Sequence, residues 1–224
     1  MGVPAQERRW ATVKDLLAIP EGERFHELLS GEIVEKAIPS LDHGMSQKRI
    51  GSQLTPYERR HGGDGPGGWI IANEVEIQLD PYNVVRSDVS GWRRERLAGA
   101  PRTFPCPIIP DWICEVLSPS NARVDLWEKL GLYHSAGVQH YWILDPIRRT
   151  LRVHRWAAPG YQVVLEARSP RVIQAEPFEL IELSLAEVFD DEEPSPYSAS
   201  QNPTPIRIAC LKAMIADASS KNPL

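Results

Sequence analysis

The chain has 224 residues and a formal net charge of −5, with 42% hydrophobic and 25% charged residues. This length suits one globular domain with a sizeable hydrophobic core, followed by a tail. The acidic balance argues against a broad basic surface that coats nucleic acid. A local basic groove beside an acidic metal site is still compatible with it.

Cysteine usage and hydropathy indicate the compartment. The cysteines, Cys106, Cys114 and Cys210, are scattered and form neither a disulfide framework nor metal-ligand spacing, which favours a reducing environment. The first ten residues are polar and charged, and no run of about 18 apolar residues occurs. We therefore expect a cytoplasmic protein with no membrane-spanning segment.

The first part of the chain predicts short helices, a hairpin and two longer strands. In order, we expect a helix over 11–19 capped by Thr12, a β-hairpin over 24–37 that turns at Ser30-Gly31, and a helix over 42–60 that Pro56 kinks or shortens. The glycine-dense stretch 61–68 is interpreted as a linker, because it lacks the Lys-Ser/Thr ending of a P-loop and precedes a strand. Strands over 69–79 and 84–92 follow, the second with Asp88 among apolar neighbours.

The centre of the chain predicts a βαβ crossover. Residues 112–117 form an apolar strand with one carboxylate, Glu115, in its middle. Ser120 or Asn121 can cap a helix over 122–135, on which Asp125, Lys129 and Tyr133 recur at intervals of four and share one face. A second apolar strand over 140–145 follows.

The remaining segments predict a loop, a meander and a tail. Residues 93–108 are basic and contain prolines, so we expect a surface loop. We expect this loop to lie beside the strand carboxylates, with arginines that meet a phosphate backbone. Strands over 150–156, 161–165 and 171–173 would form an antiparallel meander, closed by a short helix or turn over 183–189. We place one domain at 1–190, and at 191–224 an acidic, proline-rich linker with a short C-terminal helix.

Three acidic residues stand in or beside strands: Glu27, Asp88 and Glu115. A carboxylate in a buried strand is costly unless it is paired or bound to metal. Two converging carboxylates repel each other unless a cation lies between them, and oxygen-only ligands favour Mg²⁺ or Mn²⁺ over zinc. A lysine on the next helix, Lys129, could orient or deprotonate a metal-bound water or stabilise a charged transition state.

Each of these residues also has an ordinary structural interpretation. Glu115 could pair with an arginine, Lys129 could be a solvated helix residue paired with Asp125, and Glu27 could be a surface strand residue. His43 is interpreted as a residue at the edge of the site and not as a metal ligand. The aromatic residues of the crossover are interpreted as core: Tyr133, Tyr141 and Trp142.

The crossover and the hairpin carry a pattern of fixed residue types. The central block reads Pro110-Asp111, then Glu115-Val-Leu-Ser-Pro-Ser120, Asp125, Lys129, Tyr133, Gly137-Val138, Tyr141-Trp142-Ile-Leu-Asp145-Pro146. The hairpin reads Phe25-His-Glu27-Leu-Leu-Ser-Gly31-Glu32, and His43 follows it. Over residues 10–190 the pattern resembles the Uma-two family, a bacterial branch of the PD-(D/E)XK restriction-endonuclease-like nucleases.

The resemblance implies an α/β (mixed α+β) fold: a restriction-endonuclease-like core with a mixed central β-sheet flanked by helices, and an antiparallel meander. It also implies a divalent-metal site. Asp88 and Glu115 match the acidic residues of the two motifs and would bind Mg²⁺ or Mn²⁺. Lys129 matches the lysine that this branch carries on the following helix, because Leu117 stands at the usual E-x-K position. Glu27 matches an additional acidic residue near the metal.

Two classes of function follow. The first is a Mg²⁺-dependent endonuclease that hydrolyses phosphodiester bonds of DNA, with Asp88, Glu115, Lys129 and Glu27 as catalytic residues and a homodimer as the form that cuts two strands. RNA is the alternative substrate for the same site. The second class is a catalytically weak or inactive nuclease-fold interaction module that recruits a partner through residues 191–224.

Overall fold

The computed structural model describes residues 10–58, 65–99, 103–118 and 124–191. The α-helices are α1 (Val13–Leu17), α2 (Leu41–Gln53), α3 (Thr55–Glu58), α4 (Leu130–Ser135) and α5 (Leu185–Phe189). The strands are β1 (His26–Leu29), β2 (Glu32–Glu35), β3 (Trp69–Asp80), β4 (Asn83–Arg93), β5 (Trp112–Val116), β6 (His140–Asp145), β7 (Thr150–Arg155), β8 (Gln162–Arg168), β9 (Val172–Ile173) and β10 (Leu183–Ser184). A π-helix (Val124–Lys129) runs directly into α4, and 3₁₀ turns lie at Glu21–Glu23 and Arg94–Leu97.

Eight strands form one mixed sheet in the order β2-β1-β4-β5-β6-β7-β8, with β3 paired to β4. β5 and β6 are parallel and the other pairs are antiparallel, which confirms the predicted crossover and mixed sheet. The first hairpin turns through Ser30 and Gly31, whose φ values of 49° and 76° are the left-handed pair that a tight two-residue turn requires.

The sheet splits along one edge of β4. β3 pairs with β4 along its length, whereas the other edge carries β1 at Leu28–Val84 and β5 at residues 89–91. Residues 85–88 therefore lie between β1 and β5 and form no backbone pairs with either strand. Backbone N–H and C=O groups at such a position need other partners, because an unpaired buried group is costly. Side chains supply them here.

Apolar residues cover both faces of the sheet. One cluster packs β5 and β6 against α2, α3 and α5 through Trp69, Trp112, Trp142 and Phe178. The other packs the opposite faces of the same strands against α4 through Ile113, Ile143, Tyr133 and Tyr141. The alternation along β5 and β6 follows from the two-residue period of a strand and confirms that helices flank the sheet.

The helix predicted over 122–135 differs from the observed one. Residues 119–123, including both proposed caps, lie outside the described residues, and the first described turn is a π-helix that becomes α-helical at Leu130. The interval of four from Lys129 to Tyr133 falls on the α-helical part, whereas the residues before Lys129 follow the wider π turn. The prediction of a regular α-helix was wrong here.

Two further predictions need correction. β9 pairs with β10 in a separate two-stranded sheet, so residues 171–173 do not extend the meander of β7 and β8. The described arginines of the basic loop, Arg93, Arg94 and Arg96, also do not lie beside the acidic residues. Cys106 of this loop returns to β3, where its backbone exchanges hydrogen bonds with Glu76 and Gln78. Because β5 runs antiparallel to β4, however, the loop leaves β4 beside the start of β5, and Arg93 lies roughly 17 Å along β4 from Asp88 at about 3.4 Å per residue. There Arg93 stacks on Trp69 and Arg96 pairs with Asp111.

Within the part of the chain that the structure describes, no helix has the length and apolar character needed to cross a bilayer. Residues 192–224 lie outside the described residues, so the predicted linker and C-terminal helix stay predictions.

Phe178 connects the core on one face of the sheet. Its buried ring lies 4.8 to 5.6 Å from the rings of Tyr57, Trp69, Trp112 and Trp142. We expect Phe178→Ala to lower the free energy of unfolding by about 3–5 kcal/mol, since it removes a large buried side chain and leaves a cavity. Phe25→Ala, at a ring that is 60% exposed, should change it by less than about 0.5 kcal/mol. Equal urea midpoints for the two variants would contradict this account of the core.

Candidate active site

Asp88 and Glu115 are hydrogen-bonded to each other's strands. The Asp88 amide donates to Glu115 Oε2 at 3.2 Å, and the Val116 amide donates to Asp88 Oδ2 at 2.8 Å. The last backbone pair between these strands is Val89 with Cys114. One residue further along, the two carboxylates accept backbone amides in place of the carbonyl groups of a regular ladder. The structure therefore brings the two predicted acidic residues together in the split of the sheet. Both are buried, at 0% and 1% exposure.

Lys129 joins the carboxylates of β1 and β5. Its Nζ lies 3.0 Å from Glu27 Oε1 and 3.2 Å from Glu115 Oε1. Glu27 Oε1 also accepts the backbone amide of Arg86 at 2.7 Å, which lies in the same gap along β4. Lys129 and Glu27 are 2% and 4% exposed. The alternative interpretation of Glu27 as a surface strand residue is therefore wrong.

Tyr133, interpreted from the sequence as core only, contributes a hydroxyl to this cluster. It donates to Glu115 Oε1 at 2.5 Å. Burial, reinforced by the negative charge of Glu115, raises the pKa of Tyr133 well above its ordinary value. The phenol therefore stays protonated and remains a donor across the physiological range. The spacing of four from Lys129 is a sequence signal that could have assigned Tyr133 to the site.

Asp88 receives further donors from α2 and from the end of the hairpin. His43 Nε2 lies 3.0 Å from its Oδ2, and Lys36 Nζ lies 3.1 Å from its Oδ1. Burial alone would raise the pKa of Asp88, but the hydrogen bond from His43 and the charge of Lys36 hold it well below its usual range. For Lys36, burial lowers the pKa, and the charges of Asp88 and Glu115 overcome this and raise it. The two groups form a buried ion pair.

Glu74 and Gln47 complete the surroundings of Asp88. Gln47 Nε2 donates to the Asp88 carbonyl at 2.7 Å and to Glu74 Oε1 at 3.1 Å. Glu74 has φ of 55°, a left-handed conformation that is uncommon for a residue with a side chain. Its other oxygen, Oε2, accepts from Lys36 at 2.9 Å. Local strain of this kind persists where neighbouring contacts enforce it, and it occurs often at functional sites.

A cavity of about 540 Å³ lies next to this cluster. Its polar lining includes Lys36, His43, Gln47, Glu74 and Arg86, and its apolar lining includes Phe25, Ile38 and Pro39. The volume falls in the range of ligand pockets. The buried carboxylates therefore have an open space beside them that could admit a substrate.

The oxygen atoms of this cluster are chemically suited to a hard divalent cation, but lysine ammonium groups occupy the positions that the cation would take. Around Lys36 Nζ stand oxygens of Asp88, Glu74 and the Arg86 carbonyl, and oxygens are the ligands that Mg²⁺ and Mn²⁺ prefer. Among residues 10–58, 65–99, 103–118 and 124–191, no three Asp, Glu, His or Cys side chains are arranged to hold a metal ion. These oxygen ligands therefore match a divalent cation in chemical type, and their side chains would need to rearrange to bind it.

Sequence reasoning found four residues of this cluster and missed four others. The four predicted residues come together in the structure: Glu27, Asp88, Glu115 and Lys129. His43, placed at the edge of the site, is buried against Asp88. Lys36, Gln47, Glu74 and Tyr133 were not assigned. The interval of four between His43 and Gln47 is a helical signal that could have linked those two. Of Asp125 only the backbone is described.

Comparison with known proteins gives the family. A family model described as "Uma2: Putative restriction endonuclease" matches residues 13–186. The chain belongs to the Uma2 family. One solved structure similar to this Uma2 chain is a "putative nuclease belonging to DUF820" from Anabaena variabilis ATCC 29413. It is 22% identical, the match covers 80% of this chain and 97% of that chain, and the TM-score is 0.64, which shows a shared fold. No curated protein matches the chain.

Removing the ammonium from this cluster should destabilise the Uma2 fold. We expect Lys129→Met to lower the free energy of unfolding by about 3–5 kcal/mol, because two buried carboxylates, Glu27 and Glu115, lose a shared counter-charge. Adding Glu27→Gln to that variant should restore part of the loss, since one uncompensated charge is then gone. Chemical denaturation followed by circular dichroism measures both.

The exposed helix residue Lys48 provides the matched control. Lys48→Met makes the same change of side chain on the surface of α2 and should alter stability by less than about 0.5 kcal/mol. A Lys129→Met chain as stable as Lys48→Met would show that the buried contacts of Lys129 do not support the fold.

Proposed function

We propose that the chain is a divalent-metal-dependent endonuclease that hydrolyses phosphodiester bonds of DNA. The observation that carries the proposal is the convergence of Asp88, Glu115 and Lys129 in the split of the sheet. Membership of the family described as "Putative restriction endonuclease" supports it. Asp88 and Glu115 would hold Mg²⁺ or Mn²⁺. When bound, the cation supplies an activated water and neutralises charge on the phosphate.

Lys129 would serve as a fixed positive charge at the reacting phosphate. Its Nζ donates to Glu27 and Glu115, so its position is set by two carboxylates from different strands. A pre-positioned cation in a buried site stabilises charge that develops in the transition state. This favours charge stabilisation over proton abstraction as the role of Lys129. Glu27 would position Lys129 and support the metal.

The cavity beside Asp88 would receive the substrate. Lys36 and Arg86 supply positive charge in its lining, and Phe25 offers a ring that is 60% exposed. Phosphate and base could each find a partner there, since cations contact phosphates and aromatic rings stack on bases. These contacts replace the arginines of residues 93–102 as the proposed phosphate-binding groups. The homodimer remains a prediction from the sequence.

Plasmid nicking tests the proposal. We expect purified protein with Mg²⁺ or Mn²⁺ to nick supercoiled DNA and to lose nicking in EDTA. Glu115→Gln should reduce the rate by at least about 100-fold, in line with the loss of one electrostatic group at a transition state. Asp88→Asn, which keeps the shape of the second ligand, should do the same. A structured RNA tested in parallel decides between the two substrates.

Glu166→Gln is the control, because Glu166 is an exposed carboxylate on β8 paired with Arg152. It should nick at the rate of the wild type. Near-ultraviolet circular dichroism must show native packing for each variant compared. Equal nicking by wild type, Glu115→Gln and Asp88→Asn would reject the proposed site. Absence of nicking and of divalent-metal binding by the wild type would instead favour the interaction module that binds a partner through residues 191–224.

A further inference from the structure

The ammonium of Lys36 occupies a position with the ligand chemistry of a divalent cation. Its Nζ lies 3.1 Å from Asp88 Oδ1, 2.9 Å from Glu74 Oε2 and 2.8 Å from the Arg86 carbonyl oxygen. Two carboxylates and a carbonyl are hard oxygen donors of the kind that Mg²⁺ and Mn²⁺ take. A lysine of the chain therefore neutralises the oxygens that a metal ion would use.

Lys36 also lies between the cavity and Asp88. It lines the cavity, and its side chain is 11% exposed, against 1% for the side chain of Asp88. The other oxygen of Asp88 is engaged by His43 and by the Val116 amide. A cation that enters through the cavity and binds Oδ1 must therefore take the place of the Lys36 ammonium.

The balance of formal charge favours such an exchange. The cluster contains four carboxylates and two lysines: Glu27, Glu74, Asp88 and Glu115 with Lys36 and Lys129. The formal charges of these six groups leave an excess of two negative charges. Withdrawal of the Lys36 ammonium increases that excess to three, which a divalent cation offsets better than a monovalent one.

Lys36 can move, whereas Arg86, the other cation in the cavity lining, is held in place. A lysine carries a compact charge on a flexible four-carbon stem, and the cavity of about 540 Å³ offers space for it. Arg86 is held instead by an ion pair with Glu76 and a hydrogen bond to the Arg24 carbonyl. The exchangeable charge is therefore that of Lys36.

We propose that Lys36 is a displaceable internal cation that competes with the divalent metal ion proposed above for its ligand Asp88, and that Glu74 is a further ligand of that ion on the Lys36 side. The inference rests on the metal-dependent function proposed above. Without metal, the ammonium neutralises the site and keeps its carboxylates together. With metal, the side chain withdraws into the cavity. Lys36 thereby lowers the affinity of this chain for its metal.

Direct measurement of Mn²⁺ binding tests this without depending on activity. Free Mn²⁺ is followed by electron paramagnetic resonance, and heats are measured by calorimetry. We expect Lys36→Met to bind Mn²⁺ at least about tenfold more tightly than wild type, because the competing charge is gone. Saturating Mn²⁺ should also raise the melting temperature of Lys36→Met more than that of wild type. Lys36→Gln is a second neutral variant, for use if methionine impairs folding.

Two controls keep the charge or remove it elsewhere. Lys36→Arg retains a competing cation, and Lys48→Met removes an exposed one, so both should bind Mn²⁺ like wild type. Equal affinity in wild type, Lys36→Met and Lys36→Gln overturns the role of Lys36. If the affinities are equal and the wild type still nicks DNA with Mn²⁺, the role of Lys36 is rejected and the nuclease function stands. Absence of Mn²⁺ binding by all variants overturns both proposals.

Discussion

The split along β4 is the constraint on which the site depends. β1 and β5 share one edge of β4 but do not meet, so the peptide groups of Arg86 and Asp88 need partners from side chains. Glu27 and Glu115 accept their two amides, while Lys36 and Gln47 donate to their two carbonyls. Lys129 then joins Glu27 to Glu115. The same polar groups that satisfy the backbone thus form the candidate active site, because a buried strand with unpaired peptide groups would be unstable.

The sequence predicted the parts of this arrangement that follow from local pattern. Alternating or continuous apolar runs gave β3, β4, β5 and β6, and the helix between β5 and β6 required a parallel crossover. A carboxylate inside such a run is a recognisable misfit, which is why Asp88 and Glu115 could be chosen before any coordinates were considered. Glu27 and Lys129 were chosen from their places in a strand and on the next helix, and the resemblance to the Uma-two family then assigned them to the site. The family itself is confirmed by the match over residues 13–186.

Residues whose role depends on long-range geometry could not be predicted in this way. Lys36 ends a hairpin and Glu74 lies within a strand, and no spacing connects either of them to Asp88, which lies 52 residues beyond Lys36. The arginines of the basic loop were misplaced because Arg93 and Arg94 stand five and six residues after Asp88 in extended chain, which carries them roughly 17–20 Å along the strand from it. The π-helix before α4 likewise has no signal in residue type.

The composition of the cluster argues for function over stability. A split edge could be closed by neutral amides, as Gln47 does for the Asp88 carbonyl, at a far smaller cost of desolvation. This chain instead buries Glu27, Asp88, Glu115 and Lys129 together, beside a cavity, with Glu74 in a left-handed conformation. Well-packed apolar replacements for buried ion pairs are often neutral or stabilising, so stability alone does not explain them. Chemistry on a charged substrate does, because it requires fixed charges in a site from which water is largely excluded.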